Sequence, residues 1–439
     1  MKILVLFLFF LQLVSLASGQ NPIGPPGVYL ADPSARVWND GKLYLFGSLD
    51  ETCQYYCSHR YNVLSTSDMV NWEVHEHVFS SKGEVDGVTY NDKLLFAPDA
   101  AYANGRYYLY YCQPDLEHAE GVAVADSPVG PFSPGRPMDL DGYEQIDPAI
   151  FQDDDGQVYY LWGQFTLKMG LLDTSMKALQ PGSVRDSILT ESAHFFHEGA
   201  YLTKRNGIYY LVYADLSRGD VPSCLGYSTA TSPYGPYTYR GVIIDNIHCN
   251  PANWNNHGSI IEFGGRWYVF YHRSTHGCNK MRRACVEPIT FLPDGSISEV
   301  EMTSQGALPT IRADMLISAG WACVLNGGVR IIESKESSTM RLSGICSGDK
   351  AAFKYIDFGE GRDRIKVGLR PLPSGGKIVV SLDKPWSKRL AILDVPPGEA
   401  TEFLELSADI EMIPGTHAVW LHFYGSDGAM FEVEWFTFE

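Results

Sequence analysis

The strongest constraint on this chain is a hairpin that returns five times. Its turn and second strand read DGKLYLFGS (40–48), NGRYYLYYC (104–112), DGQVYYLWG (155–163), NGIYYLVYA (206–214) and GGRWYVFYH (264–272). The turn glycines are Gly41, Gly105, Gly156, Gly207 and Gly265, spaced 51 to 64 residues apart. Asn-Gly and Asp-Gly favour tight hairpins, and alternating Tyr, Leu and Val suit pleated strands. Three downstream segments, LSTSDMVNW (64–72), VAVADSPVGPF (122–132) and YSTATSPYGPY (227–237), read as third strands running into Ser/Pro/Gly turns. A sandwich of ordinary hairpins explains alternation but not one hairpin recurring at such a period. That recurrence predicts an all-β chain whose residues 20–312 form a five-bladed β-propeller of four-stranded blades.

In a propeller the first strand of each blade lines the central channel. The segments entering the five hairpins are LADPSARVW (30–38), FAPDAAYA (96–103), QIDPAIFQ (145–152), FHEGAYLT (196–203) and NNHGSIIE (255–262). They put Asp32, Asp99, Asp147, Glu198 and His257 near the starts of the innermost strands. Asp32, Asp147 and Glu198 each stand nine residues before their turn glycine. Asp-Pro alone marks a turn, but three carboxylates in one register converge on one axis. Like charges and burial raise carboxyl pKa values, and such crowding is how an acid and a base coexist at one pH. Glu198, with Phe195, Phe196 and Tyr201 close by in sequence, is expected in an apolar setting as a general acid. Asp32 is expected as the general base that holds a water, and Asp147 as the group that orients the acid and tunes its pKa. His257 reads equally as a channel ligand for a cation or water and as a hydrogen-bonded structural histidine.

The first twenty residues, MKILVLFLFFLQLVSLASGQ, place one lysine before a short apolar run that ends in small residues. This predicts a signal peptide over residues 1–19 and a secreted or periplasmic protein. No other stretch is long enough to span a bilayer. The net charge of -18 disfavours nucleic acid and anionic membranes as partners. Export permits disulfides among the nine cysteines. Cys53 with Cys57, and Cys278 with Cys285, are near enough in sequence to pair, although spacing leaves the connectivity open. Their spacings match no standard zinc pattern.

At these residues the sequence resembles glycoside hydrolase family 43. ADPS, IDPA and HEGA match that family's base, pKa-modulator and acid motifs at Asp32, Asp147 and Glu198, in the same chain order. RRACVEPITFLPDGSI (282–297) and EVEMTSQGA (299–307) resemble its fifth-blade ending. The resemblance implies hydrolysis of a glycosidic bond with inversion, in which the two carboxyls stand far enough apart to admit a water. Related retaining families carry Asn-Asp-Pro-Asn-Gly where this chain has ADPS. The resemblance also implies calcium in the channel beside His257, and a substrate-binding arginine from the fifth blade, for which Arg273 and Arg283 are the candidates. Phe96-Ala97-Pro98 stands where the family usually has Trp-Ala-Pro, so Phe96 is expected as a smaller stacking face.

After residue 313 the hairpin period stops. AAFKYIDFG, RIKVGLR, KIVVSLD, HAVWLHFYG and MFEVEWFTF alternate as strands, which predicts a jelly-roll-like β-sandwich over 313–439. The pattern resembles a family 6 carbohydrate-binding module. TEFLEL with Phe403 stands where such modules show Gly-Trp, and Glu432 replaces a usual ligand asparagine. That leaves Trp386 and Tyr355 as stacking surfaces. The implied partner is plant cell-wall polysaccharide or its oligosaccharides. The implied activity is α-L-arabinofuranosidase or β-xylosidase. An endo-arabinanase, a galactofuranosidase or a non-catalytic glycan-binding propeller are the alternatives. The segment DETCQYYCSHRYN (50–62) is read as a wall that closes one side of the site, favouring a pocket over a groove.

Overall fold

The computed structural model describes residues 19–439 except Leu116, Pro251, residues 334–338 and Glu402. The expected signal peptide lies, but for Gly19, outside the described residues.

Each repeated hairpin opens a separate sheet whose strands follow in chain order. Blade one is β1 (Leu30–Val37), β2 (Leu43–Leu49), β3 (Arg60–Thr66) and β4 (Glu73–Ser80). Blade two is β5 (Phe96–Ala103), β6 (Arg106–Cys112), β7 (Glu120–Ala125) and the two-residue β8 (Arg136–Pro137). Blade three has β9 (Ala149–Gln152), β10 (Val158–Trp162) and β11 (Lys168–Leu171). Blade four has β12 (Phe196–Arg205), β13 (Ile208–Asp215), β14 (Cys224–Ala230) and β15 (Thr238–Asp245). Blade five has β16 (Ser259–Phe263), β17 (Arg266–Ser274) and β18 (Arg282–Ile289).

Two of the five sheets therefore have three strands rather than the expected four. In blade three the fourth position shrinks to single bridges, Leu172 to Leu179 and Met169 to Arg185, around a Pro181-Gly182 turn that interrupts a ladder. In blade five the outer edge is covered by the chain's own beginning. Ile23 N–H donates to the Ala284 carbonyl at 2.9 Å, and Asn21 N–H donates to Ser304 at 2.9 Å. The Asn21 side chain bonds Val286 on both sides of its amide, at 2.9 Å each. The ring is thus closed by a segment from the opposite end of the propeller, which also protects an open strand edge.

The abundant aromatic residues fill the wedges between blades. Tyr61, Tyr110, Tyr111, Tyr160, Tyr210, Tyr213 and Tyr227 are fully buried. Their hydroxyls find carbonyl partners where they would otherwise be stranded: Tyr110 on Met176 at 2.9 Å, Tyr210 on Gly295 at 2.8 Å and Tyr213 on His194 at 2.7 Å.

The C-terminal residues form two six-stranded sheets packed face to face. Lys350–Asp357, Thr416–Tyr424 and Gly376–Leu382 are neighbours in one, and Phe431–Phe438, Arg362–Pro371 and Leu404–Ile413 in the other. Ile311–Arg312 already belongs to the first sheet, pairing in parallel with Ile356 and Asp357. The sandwich leans on blade five. Ser304 and Gln305 N–H groups donate to the Lys354 carbonyl at 2.6 and 2.9 Å, and Ile331 N–H donates to Thr275 at 3.1 Å. Tyr355, expected as a stacking surface, instead hydrogen-bonds Glu301 of the propeller and belongs to this junction. Trp386 is 79% exposed and remains free to stack.

Candidate active site

The innermost strands do not enter the channel as regular ladders. The β1–β2 pairing slips between Ala31 and Ser34, the β5–β6 pairing between Phe96 and Asp99, and the β12–β13 pairing on both sides of Glu198. A bulge twists a strand and re-aims a side chain. Asp32 (φ 53°) and Asp147 (φ 66°) both hold a left-handed backbone that non-glycine residues avoid, and in blade four Gly199 takes that conformation (φ 66°). The three carboxylates are thereby turned out of their ladders into one cavity of about 230 Å³. Phe96, His257, Gln164, Asn255 and Trp254 line it with them.

Asp32 and Asp147 have opposite electrostatic settings. Burial by itself would raise the Asp32 carboxyl, but the Arg282 guanidinium 2.8 Å away outweighs it and holds the group well below the usual carboxylate range. Ser48 Oγ donates to its other oxygen at 2.6 Å. Arg282 is itself gripped by Asp50 through its Nε (2.8 Å), one terminal nitrogen (3.0 Å) and its backbone N–H (3.0 Å). For Asp147, burial and then the charges of Glu198 and Asp32 push the carboxyl well above its ordinary value. The Gly199 N–H, next in chain to Glu198, donates to Asp147. Burial and nearby negative charge both disfavour the ionised form of a carboxyl, so Asp147 gives up its proton late.

Glu198 is set differently from the sequence-based expectation. Phe196 packs on Tyr213 in the core, Phe195 packs on Tyr239, and the Tyr201 hydroxyl donates to the Ala35 carbonyl. None of them flanks the Glu198 carboxylate. Its oxygens accept from Gln164 Nε2 at 2.8 Å and Asn255 Nδ2 at 3.3 Å. The Asn255 carbonyl lies 3.1 Å from His272 Nε2, and His272 Nδ1 accepts the Asp32 backbone N–H at 3.2 Å. His272 thus carries its proton on Nε2 and braces the two walls against each other. His257 Nδ1 stands 3.7 Å from Asp32 and 4.0 Å from Asp147. Burial lowers its pKa, so its ring is neutral at pH 7. Any side chain on Gly199 would strike that ring, since a Cβ there would sit 2.9 Å from it.

Both arginine candidates lie elsewhere. Arg273 and Arg283 face each other across β17 and β18. Arg273 Nε donates to Cys285 Sγ at 3.1 Å, and Arg283 donates to the carbonyls of Gly24 and Pro25 at 3.1 and 3.3 Å. Side chains alternate along a strand, so the next residue, Arg282, points the other way, toward Asp32. That alternation was the available signal. The cysteine pairing is also corrected: Cys53 joins Cys278 across 225 residues, and Cys57 and Cys285 stay reduced.

Asp99 does not join the other three carboxylates. It stands six residues before its turn glycine rather than nine, which places it one tier deeper. There it takes an ion pair from Arg36, whose terminal nitrogen also reaches the Ile150 carbonyl at 2.8 Å and whose guanidinium lies 4.9 Å over the Tyr201 ring. Asp99 also accepts Ser34 Oγ at 2.6 Å and Ile150 N–H at 2.7 Å. Arg36 touches three other blades besides its own, so it occupies the axis. Calcium takes six to eight oxygen ligands. Among the described residues no group of three or more His, Cys, Asp or Glu side chains is placed to hold a metal. Dialysis against EDTA is expected to leave both activity and melting temperature unchanged; a loss that calcium restores would place an ion in this channel.

The model of glycosyl hydrolases family 43 matches residues 20–297. The chain belongs to that family. This family 43 glycoside hydrolase also carries a match to the carbohydrate binding module of family 6 over residues 324–439. It is similar to a xylosidase/arabinosidase 43A of Humicola insolens, 34% identical over 62% of this chain and 96% of that one. A xylosidase/arabinosidase of Thermoclostridium stercorarium is 28% identical across 93% of this chain and 97% of that one. Among solved structures, the Bacillus subtilis arabinoxylan arabinofuranohydrolase in complex with cellotetraose covers 96% of this chain and 97% of its own, with a TM-score of 0.56 and 27% identity. A β-xylosidase/α-arabinofuranosidase from a compost metagenome, described in a calcium-free form with xylotriose, is 30% identical over 64% of this chain and 98% of its own, with a TM-score of 0.55. No described helix of the enzyme is long and apolar enough to cross a membrane.

Proposed function

We propose that the enzyme releases single pentose units, α-L-arabinofuranosyl or β-xylosyl, from plant polysaccharide or its oligosaccharides with inversion at the anomeric carbon. One observation carries this reading: Asp32, Asp147 and Glu198 open into one hollow with unlike electrostatic settings. Asp32, ionised by Arg282, takes a proton from water as that water forms its bond to the anomeric carbon. Glu198 passes a proton to the glycosidic oxygen as that bond breaks, and Asp147, its own carboxyl pushed well above its ordinary value, lines the same cavity. Asp32 and Glu198 line the same cavity, and inversion requires that they stand far enough apart to admit the attacking water between base and sugar.

The cavity is smaller than the roughly 300–1,000 Å³ of drug-sized sites, which suits one sugar ring. The blade-one segment closes one side of it, as Tyr56 and Cys57 are among the lining residues. The names of the relatives support a pentose. The Cys53–Cys278 disulfide supports export. The test is a screen of nitrophenyl pentosides and arabinoxylan, with proton NMR of the first sugar released. An initial product of inverted configuration is expected; a retained anomer overturns the mechanism, and no pentose release overturns the substrate class.

A further inference from the structure

We propose that Tyr56 is a sugar-binding residue whose hydroxyl bonds a ring hydroxyl of the substrate, and that the Cys53–Cys278 disulfide holds it in place. This rests on the glycosidase reading above.

Tyr56 belongs to the segment between β2 and β3, which folds over the cavity mouth. The root of that segment is fixed by Asp50, which accepts the Cys57 N–H at 3.0 Å while it grips Arg282. Its far side is bonded through Cys53 to Cys278, in the loop that joins β17 to β18. That same loop supplies Lys280, whose ammonium lies 4.5 Å from the Tyr56 ring centre, and Arg282 lies 4.9 Å from it. Two cations over its ring and a covalent tie leave Tyr56 little freedom.

The ring borders the cavity together with Asp32, Glu198 and Arg282. Its hydroxyl is buried and has no hydrogen-bond partner in the protein. The buried hydroxyls of Tyr110, Tyr210 and Tyr213 all have one. A buried hydroxyl without a partner is unfavourable. Burial pushes the phenol up to about 12, so it remains a donor throughout the neutral range. A sugar hydroxyl both donates and accepts, and one placed between the two reacting carboxylates completes this group.

Tyr56→Phe removes one oxygen and keeps the ring over Lys280 and Arg282. It is expected to lower kcat/KM about tenfold on the preferred pentoside, the loss of one hydrogen bond, with an unchanged melting temperature. Aryl pentosides lacking one ring hydroxyl at a time supply the partner measurement. Wild type is expected to lose the same factor on one of them, and Tyr56→Phe to lose nothing further on that substrate. The double variant Cys53→Ser/Cys278→Ser is expected to raise KM in the wild-type background and to add little to Tyr56→Phe. Equal kcat/KM for Tyr56→Phe and wild type on every pentoside overturns the proposal while leaving the glycosidase reading intact. A wild type that cleaves none of them overturns that reading and the proposal with it.

Discussion

Replacing Glu198 by Gln is expected to reduce turnover of natural glycosides by about 10²–10⁴, the usual contribution of a general acid. The substitution keeps the hydrogen-bond reach toward Gln164 and Asn255, so the fold is expected to survive. The loss depends on the leaving group. An alkoxide needs a proton as the bond breaks, whereas a dinitrophenolate does not, so the deficit is expected to shrink sharply on a dinitrophenyl pentoside. Asp32→Asn is expected to be equally damaging on both substrates, because the water still lacks its base. The pH profile separates the roles further. Asp32 is held below the usual carboxylate range by Arg282, so it stays ionised well into acid and activity is expected to persist there. Burial and the neighbouring charges push the Asp147 carboxyl well above its ordinary value, so the loss of its proton is expected to set the alkaline limb. An unchanged rate for Glu198→Gln on both leaving groups would place the acid elsewhere.

The second large effect concerns stability. Arg36→Met strands the Asp99 carboxylate, which is 1% exposed and loses the cation it pairs with. Removing one partner of a buried ion pair costs roughly 3–5 kcal/mol. The same change opens the contacts to Ile150 and Tyr201, so three blades lose a common anchor. Urea unfolding of the variant is expected to have a midpoint lowered accordingly. Arg36→Met combined with Asp99→Leu is expected to recover most of that loss, since an apolar pair leaves no charge unpaired. A single variant that unfolds at the wild-type midpoint would show that Arg36 does not hold the axis. Activity offers an independent readout, because Ile150 lies three residues after Asp147 and its N–H is fixed by Asp99.

The blade count, the all-β class and the register of Asp32, Asp147 and Glu198 were readable from the chain alone. Each is a local pattern: a turn glycine, a period of two, and a constant offset from turn to carboxylate. The offset also separates Asp99, six residues before its turn glycine, from the other three. The aromatic neighbours of Glu198 misled because closeness in sequence says little about which side of a bulged strand a residue faces. The same applies to Cys53 and Cys57, four residues apart, of which Cys53 is bonded to Cys278 while Cys57 stays reduced.

What the sequence determined by itself is where each blade begins and which acidic groups lead into it, since hairpins and alternation arise from contacts within about fifty residues. Only the tertiary structure decided that Arg282 rather than Arg273 or Arg283 ionises the base, that Arg36 occupies the axis, and that Cys53 reaches Cys278. These are contacts between blades. They depend on how a ring closes, and closure sets side by side residues far apart in the chain, 250 positions for Asp32 and Arg282.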